Sequence, residues 1–197
     1  MKWRRRITLT AVLTLLVSIG VAPLSAQATN WVGWTGNYGC SLASGLNATW
    51  STNYSARLNS LLPQVASATT WGLNNVISPT DMNVTITTST TVVPSVNYYD
   101  ADYSTQCGYS FHPATNVVGL TICNSLTSSA RCRTHSIYMD NSFTNITDDY
   151  TRRCIAIHET GHSLGLAHRS GEVMQATIPM PTCSFSSHSL AHINGNY

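Results

Sequence analysis

Lysine is almost missing from this chain of 197 residues, which has a single one, at position 2. Charged residues of all kinds make up 9% of the sequence, against about 25% in an average soluble domain. Beyond the first six positions the chain keeps six arginines and eight acidic residues, a formal charge of −2. Because no basic patch remains there, nucleic acid and anionic membranes are disfavoured as partners. The surface must instead be rich in serine, threonine and asparagine.

A long apolar run is missing as well. The apolar stretch Ile7–Val21 is too short for a retained transmembrane helix. It follows the basic residues at positions 2 and 4–6 and precedes the small-x-small sequence Ala26–Ala28. This pattern predicts a secretory signal peptide over residues 1–28. The pair Arg4 and Arg5 leaves a twin-arginine export route open as the alternative.

Removal of the predicted signal leaves residues 29–197, a length that suits one domain with its own core. The sequence shows no internal repeat and no long linker. We therefore expect a single secreted, extracellular domain, and we expect it to be a monomer.

Hydrophobic periodicity predicts the order strand, helix, strands and then a second helix. The first helix begins with Pro63 at its first position, and the second begins near Thr147 with acidic residues in its first turn. The predicted strands are Ala48–Tyr54, Met82–Thr88, Gly108–Phe111, Val117–Cys123 and His135–Met139, and the first helix is Pro63–Val76.

The second predicted helix carries His158, Glu159 and His162. Two histidines four positions apart lie about 40° apart on one helix face and about 6 Å apart along the axis. Both imidazoles can therefore reach one Zn²⁺ at about 2.0–2.1 Å. Glu159 lies on the same side, where its carboxylate can act as a general base without being a metal ligand.

A third histidine, His168, requires the helix to end. In a continuing helix it would lie about 9 Å beyond His162, too far to share the metal. Gly165 allows the chain to turn back, because glycine adopts a positive φ at a helix C-terminus without a Cβ penalty. Three neutral imidazoles then leave one position open, as in catalytic zinc sites.

The sequence from His158 to His168 resembles the metzincin clan of zinc endopeptidases, whose pattern is H-E-x-x-H-x-x-G-x-x-H followed by a Met-turn. The part from His162 to His168 looks most like the matrixins. Met174, six residues further on, resembles the methionine of the Met-turn beneath the three histidines; an ordinary core methionine is the alternative. The loop before Met174 is shorter than is usual in matrixins, so the shape of the adjacent pocket is left open.

The resemblance implies an α+β fold with a twisted, mainly antiparallel or mixed sheet, an N-terminal helix and a zinc-binding active-site helix. It also implies a Met-turn and a short C-terminal helix, which would be Ser184–Tyr197. The activity it implies is hydrolysis of peptide bonds in proteins by a zinc-activated water with Glu159 as general base. Its specific motif covers only His158 to Met174, although the order of elements covers the domain. A non-catalytic zinc-binding module and a secreted adhesive protein are the alternatives.

Six cysteines follow the predicted signal, and an even number in a secreted protein indicates disulfides. Fifteen pairings of six cysteines exist, and the sequence does not choose among them. In many matrixins a propeptide cysteine blocks the zinc; Cys40 is the N-terminal candidate here, although the family's switch motif is absent around it. The cysteines are Cys40, Cys107, Cys123, Cys132, Cys154 and Cys183.

The remaining metal-binding candidates are weaker. His112 and His135 lie where matrixins bind structural metals, but the spaced His-x-Asp pattern is not matched. Asp100 and Asp102 could bind a structural Ca²⁺ in a loop. For these four residues we expect solvated or hydrogen-bonded surface positions. His188 and His192 lie four apart on a predicted helix without a suitably placed glutamate, and we expect them to be exposed.

Overall fold

A computed structural model describes most of the chain beyond residue 50. The predicted signal peptide, the start of the predicted domain and Cys40 lie outside the described residues. The described residues are 51–112, 117–128, 131–142, 146 and 148–197, with the backbone of 37–38, 41–42 and 47–49.

Ten strands and three α-helices form within the described residues. A π-helical turn, Leu73–Ile77, continues the first helix. The strands are β1 Asn37–Tyr38, β2 Ser41–Leu42, β3 Asn47–Thr49, β4 Asn53–Asn59, β5 Asn83–Ile86, β6 Val96–Asp100, β7 Thr105–Gln106, β8 Tyr109–Ser110, β9 Gly119–Leu126 and β10 Arg131–Met139. The helices are α1 Pro63–Gly72, α2 Asp149–Ser163 and α3 Ser187–Asn196. None of these helices is both long enough and apolar enough to cross a membrane.

Eight strands make one mixed sheet in the order β2-β1-β9-β10-β6-β4-β5, with β3 also paired to β10. Strand β10 is parallel to β6, β6 to β4 and β4 to β5, whereas β9 and β10 are antiparallel. The predicted α+β class and mixed sheet are therefore present, but the expectation of a mainly antiparallel sheet is wrong. The helical crossover α1 between β4 and β5 is the physical reason, because parallel neighbours need such a connection.

Individual strands differ from their predictions. Ala48–Tyr54 is two strands, β3 and β4, rather than one. Gly108–Phe111 contains only the two-residue strand β8 of a small hairpin with β7. Strand β6 was missed, although it lies near the middle of the sheet with Val96 and Tyr98 fully buried. Val96–Asp100 does not alternate clearly between apolar and polar residues, so the period-two pattern is weak there.

Helices α1 and α2 pack closely against each other on the sheet. They approach at Gly72, where an added Cβ would lie 2.8 Å from Ile157 Cγ1. Asp148 caps α2 by accepting a hydrogen bond from the Thr151 N–H at 2.8 Å. Asp149 occupies the first turn, where its negative charge suits the helix dipole. The acidic start of this helix is thus where the sequence predicts it, and Thr147 itself lies outside the described residues.

Four buried hydroxyls fasten α2 to the sheet. Tyr54 Oη lies 2.8 Å from Ser163 Oγ and 3.2 Å from Tyr98 Oη. Tyr98 Oη in turn lies 2.8 Å from Thr160 Oγ1. Because Thr160 and Ser163 flank His162 in the helix, this network holds the histidine-bearing turn at a defined height above the sheet.

Two disulfides lie wholly within the described residues. Cys123–Cys132 joins β9 to β10, and Cys154–Cys183 joins α2 to the segment before α3. Cys107 is disulfide-bonded as well, and no free cysteine occurs among the described residues. Disulfide formation is therefore confirmed for this part of the chain, whereas the latency alternative at Cys40 concerns a residue outside it.

Candidate metal centre

The metal-binding candidates begin on α2, which ends at Ser163. Gly165 follows with φ +94°, and its N–H donates to His162 O at 2.9 Å. The N–H of Leu166 donates to Gly161 O at 3.0 Å. These two bonds form a Schellman C-cap, so the predicted turn at Gly165 is confirmed, and it brings the chain back over the helix.

The turn brings His158, His162 and His168 together. Their potential ligand nitrogens all lie within 4.8 Å of one another. The ring centroids are 4.6 Å apart for His158 and His162, 5.2 Å for His158 and His168, and 4.9 Å for His162 and His168. His158 is buried and His168 is exposed, so the cluster is open to solvent on one side. This group could hold a metal ion.

Backbone carbonyls orient two of the three rings. His158 Nδ1 lies 2.8 Å from Val173 O, and His162 Nδ1 lies 2.8 Å from Leu166 O. A carbonyl oxygen only accepts, so each Nδ1 carries the proton and donates it. Each Nε2 then presents a lone pair, which is the arrangement found in metal-ligating histidines.

The distance between the Nε2 atoms of His158 and His162 shows whether a cation fits between them. His158 Nε2 and His162 Nε2 are 3.0 Å apart, and neither carries a proton when the rings are neutral. Facing lone pairs repel, and a cation between them removes that repulsion. Tetrahedral zinc at about 2.0–2.1 Å from each ligand would space neighbouring nitrogens by about 3.3 Å. The donor set therefore fits zinc.

Burial keeps these imidazoles neutral. It lowers the pKa of His158 to about 4. It lowers the pKa of His162 well below its usual value, with the neighbouring His158 as a further cause, and it also lowers the pKa of His168. Neutral imidazole is the form that binds metal, so the rings are ready for a metal ion at neutral pH.

Met174 lies under this part of α2. It is fully buried, and its backbone oxygen accepts a hydrogen bond from the Arg169 N–H at 2.8 Å. A Cβ added to Gly161 would clash with Met174 Sδ and lie 3.0 Å from Phe185 Cε1. The side chains of Met174 and Phe185 therefore fill the space beside Gly161, which leaves no room for a larger residue there.

Glu159 points away from solvent, with 4% of its surface exposed. Thr121 Oγ1 of β9 donates to Glu159 Oε2 at 2.7 Å and also lies 2.9 Å from Glu159 O. Burial raises the pKa of Glu159 to about 7, and the Thr121 hydrogen bond opposes that rise. Sequence reasoning missed Thr121, since a threonine inside the predicted strand Val117–Cys123 carries no signal of the side chain that it will contact.

A second buried carboxylate braces the loop after His168. Glu172 accepts hydrogen bonds from the Ser186 N–H and from Ser189 Oγ, both at 2.7 Å. Arg169 Nε lies 3.7 Å from Glu172 Oε1. Glu172 thus links the loop carrying His168 and Met174 to α3. It was not singled out from the sequence, because a lone glutamate in a loop carries no signal of burial.

The weaker candidates lie elsewhere. His135 is fully buried in β10, so its expected surface position is wrong. His112 is exposed and makes an edge contact with the Tyr103 ring. Asp102 accepts a hydrogen bond from the Ser142 N–H at 3.0 Å. Burial raises the pKa of Asp102, and the neighbouring Asp100 raises it further.

Neither aspartate joins a metal-ligand group of three within the described residues, and a Ca²⁺ at Asp100 and Asp102 stays a prediction. His188 and His192 are half-buried rather than exposed, because Arg169 and the loop braced by Glu172 lie beside α3.

Comparison with known proteins finds little. No protein-family model matches the chain, and no curated protein matches it. Among solved structures 77 chains match. One structure of myroilysin is 16% identical, with 62% of this chain and 46% of that chain covered and a TM-score of 0.39. A crystal structure of myroilysin is 14% identical, with 75% and 62% covered and a TM-score of 0.41. The chain spans less than two thirds of either structure, and the case for a function rests on the site's own geometry.

Proposed function

We propose that this chain is a secreted zinc metalloendopeptidase of the metzincin type, similar to the matrixins, which hydrolyses peptide bonds of proteins. The observation that supports this most is the convergence of His158, His162 and His168 within 4.8 Å, with Glu159 next to the first ligand. A purely structural zinc site needs four protein ligands. Three ligands with one exposed side suit a site at which substrate reacts.

The three histidines would hold one zinc ion. When bound, zinc polarises the scissile carbonyl and stabilises the negative charge that develops on its oxygen. Glu159 takes a proton from the attacking water and passes it to the leaving amine. Without metal, burial raises the pKa of the Glu159 carboxyl above its usual value, which favours uptake of that proton.

The substrate would bind as an extended peptide along β9. Gly119–Thr121 pair with β10 on one side, whereas β1 pairs with β9 only at Ile122 and Cys123. Within the described residues the other side of Gly119–Thr121 thus has no strand partner. Addition of a strand to such an edge supplies main-chain hydrogen bonds with little demand on side chains.

Secretion rests on the predicted signal at residues 1–28 and on the cysteines. Disulfides form and persist in oxidising compartments, and Cys123–Cys132 and Cys154–Cys183 are both paired. The domain would then act extracellularly, without nucleic acid or membrane as partner.

The deciding experiment compares the mature protein with Glu159→Gln. The amide matches the carboxylate in shape and cannot accept the proton. Because Glu159 is not one of the three proposed metal ligands, all three remain in this variant. We expect about one zinc per chain in both proteins. Cleavage of a peptide library, measured as kcat/KM, should fall by about 10²–10⁴-fold in the variant.

Full cleavage by zinc-loaded Glu159→Gln would contradict the role of Glu159. A wild-type protein that carries zinc and cleaves no peptide in the library would instead favour the non-catalytic binding or adhesive module.

A further inference from the structure

Glu159, the general base of the proposed reaction, contacts strand β9 as well as its own helix. Glu159 leaves α2 toward β9, and its Oε2 accepts a hydrogen bond of 2.7 Å from Thr121 Oγ1. Thr121 is itself 5% exposed, so water does not compete for this bond. A hydroxyl that donates to a buried carboxylate makes one of the stronger hydrogen bonds in proteins.

Gly119 makes room for the same carboxylate. A Cβ at this position would lie 2.6 Å from Glu159 Cδ and 2.7 Å from Glu159 Cγ, distances that real side chains do not reach. Any other residue would therefore displace Glu159. The close contact explains why a glycine, which weakens a strand, stands at the start of β9.

Both residues face Glu159 because of strand geometry. Side chains two positions apart in a strand point to the same face. Gly119 and Thr121 are two apart, and that face is turned toward α2. Strand β9 thus offers one position without a side chain and one hydroxyl donor, spaced to receive a single carboxylate.

We propose that Thr121 is a positioning residue for Glu159 and that Gly119 provides the space in which the carboxylate is held. The catalytic consequence rests on the proposed function, whereas the contact itself does not. Thr121 holds Oε2 and so fixes the rotation of the carboxylate. The orientation in which the carboxylate exchanges protons is then set before substrate binds, which is what positioning contributes to catalysis.

The test uses Thr121→Val, which keeps the shape and removes the hydroxyl, with Thr121→Ser as its matched control. We expect kcat to fall about 10–100-fold in the valine variant, with KM and zinc content unchanged. Serine keeps the donor and should restore most of kcat. Equal losses in both variants would show that the methyl packing of Thr121 matters and would overturn the proposal, as would full activity of the valine variant.

A second measurement works without any activity. The chain has two glutamates, Glu159 and Glu172, so labelling glutamate with ¹³C at the side-chain carboxyl gives two signals in an NMR spectrum. Glu159→Gln identifies the Glu159 signal by removing it. In metal-free protein, Thr121→Val should shift that signal and leave the Glu172 signal in place, whereas Thr121→Ser should leave both.

The kinetic and NMR measurements distinguish failure of the proposed function from failure of the proposed role of Thr121. A wild-type protein that binds zinc and cleaves no peptide would contradict the proposed function. The NMR signals would still show whether Thr121 contacts Glu159. An unchanged Glu159 signal in the valine variant would overturn the positioning role even in an active enzyme.

Discussion

Two helices of this protein each carry a pair of histidines four residues apart. On α2 the rings of His158 and His162 are 4.6 Å apart at an interplanar angle of 88°. On α3 the rings of His188 and His192 are 5.0 Å apart at 89°. Helical spacing alone therefore produces the same ring arrangement twice, and it does not distinguish a metal site from an ordinary pair.

The surroundings of the two pairs differ in three ways. A third histidine joins the α2 pair through the turn at Gly165, whereas no third metal-ligating side chain joins the α3 pair within the described residues. Backbone carbonyls fix both rings on α2. On α3 burial lowers the pKa of His192, and the neighbouring His188 and Arg169 lower it further. Within the described residues only the α2 pair therefore belongs to a group that could hold a metal ion, and the turn at Gly165 completes that group.

The largest expected effect separates the pairs by metal content. His162→Ala removes one of three ligands and should abolish most zinc binding by purified protein, measured by elemental analysis after dialysis. His192→Ala should leave zinc at about one per chain, because α3 contributes no ligand. Full zinc retention in His162→Ala, or zinc loss in a well-folded His192→Ala, would contradict the claim that the α2 pair and not the α3 pair binds zinc.

A smaller effect separates the two helices by their glycines. Gly161→Ala on α2 places a methyl group against Met174 and Phe185 and should destabilise the fold by about 1–3 kcal/mol, as overpacking does. Gly195→Ala on α3 meets nothing within 4 Å, and alanine favours the helix by at most about 1 kcal/mol. Urea unfolding measures both changes in stability, and a stabilising Gly161→Ala would show that the space beside Gly161 is not filled.

The smallest effect concerns the N-caps. Asp148 bonds the Thr151 N–H of α2 at 2.8 Å, whereas Ser186 bonds the Ser189 N–H of α3 at 3.3 Å. The shorter bond from a charged acceptor at a helix N-terminus is the stronger one. We expect Ser186→Ala to cost about 0.5–1 kcal/mol and Asp148→Ala to lower the thermal midpoint further. The reverse order in calorimetry would contradict this.

Local sequence signals located most of the candidate site. The spacing of His158, Glu159 and His162, the turn at Gly165 and the acidic start of α2 each depend on residues within about one helical turn of one another. Such features follow from backbone geometry and capping, and they recur in the structure. The strand directions were predicted less well, since pairing across the sheet depends on contacts between residues far apart in sequence.

By itself the sequence determined that one helix carries His158, Glu159 and His162 and that a glycine ends this helix before a third histidine. Only the tertiary structure decided what holds those groups. It placed Thr121 and Gly119 against Glu159, the carbonyls of Val173 and Leu166 against two rings, and Met174 under Gly161. These partners come from other elements or from the loop, and their positions depend on how the sheet, α2 and the loop pack together, which no local pattern encodes.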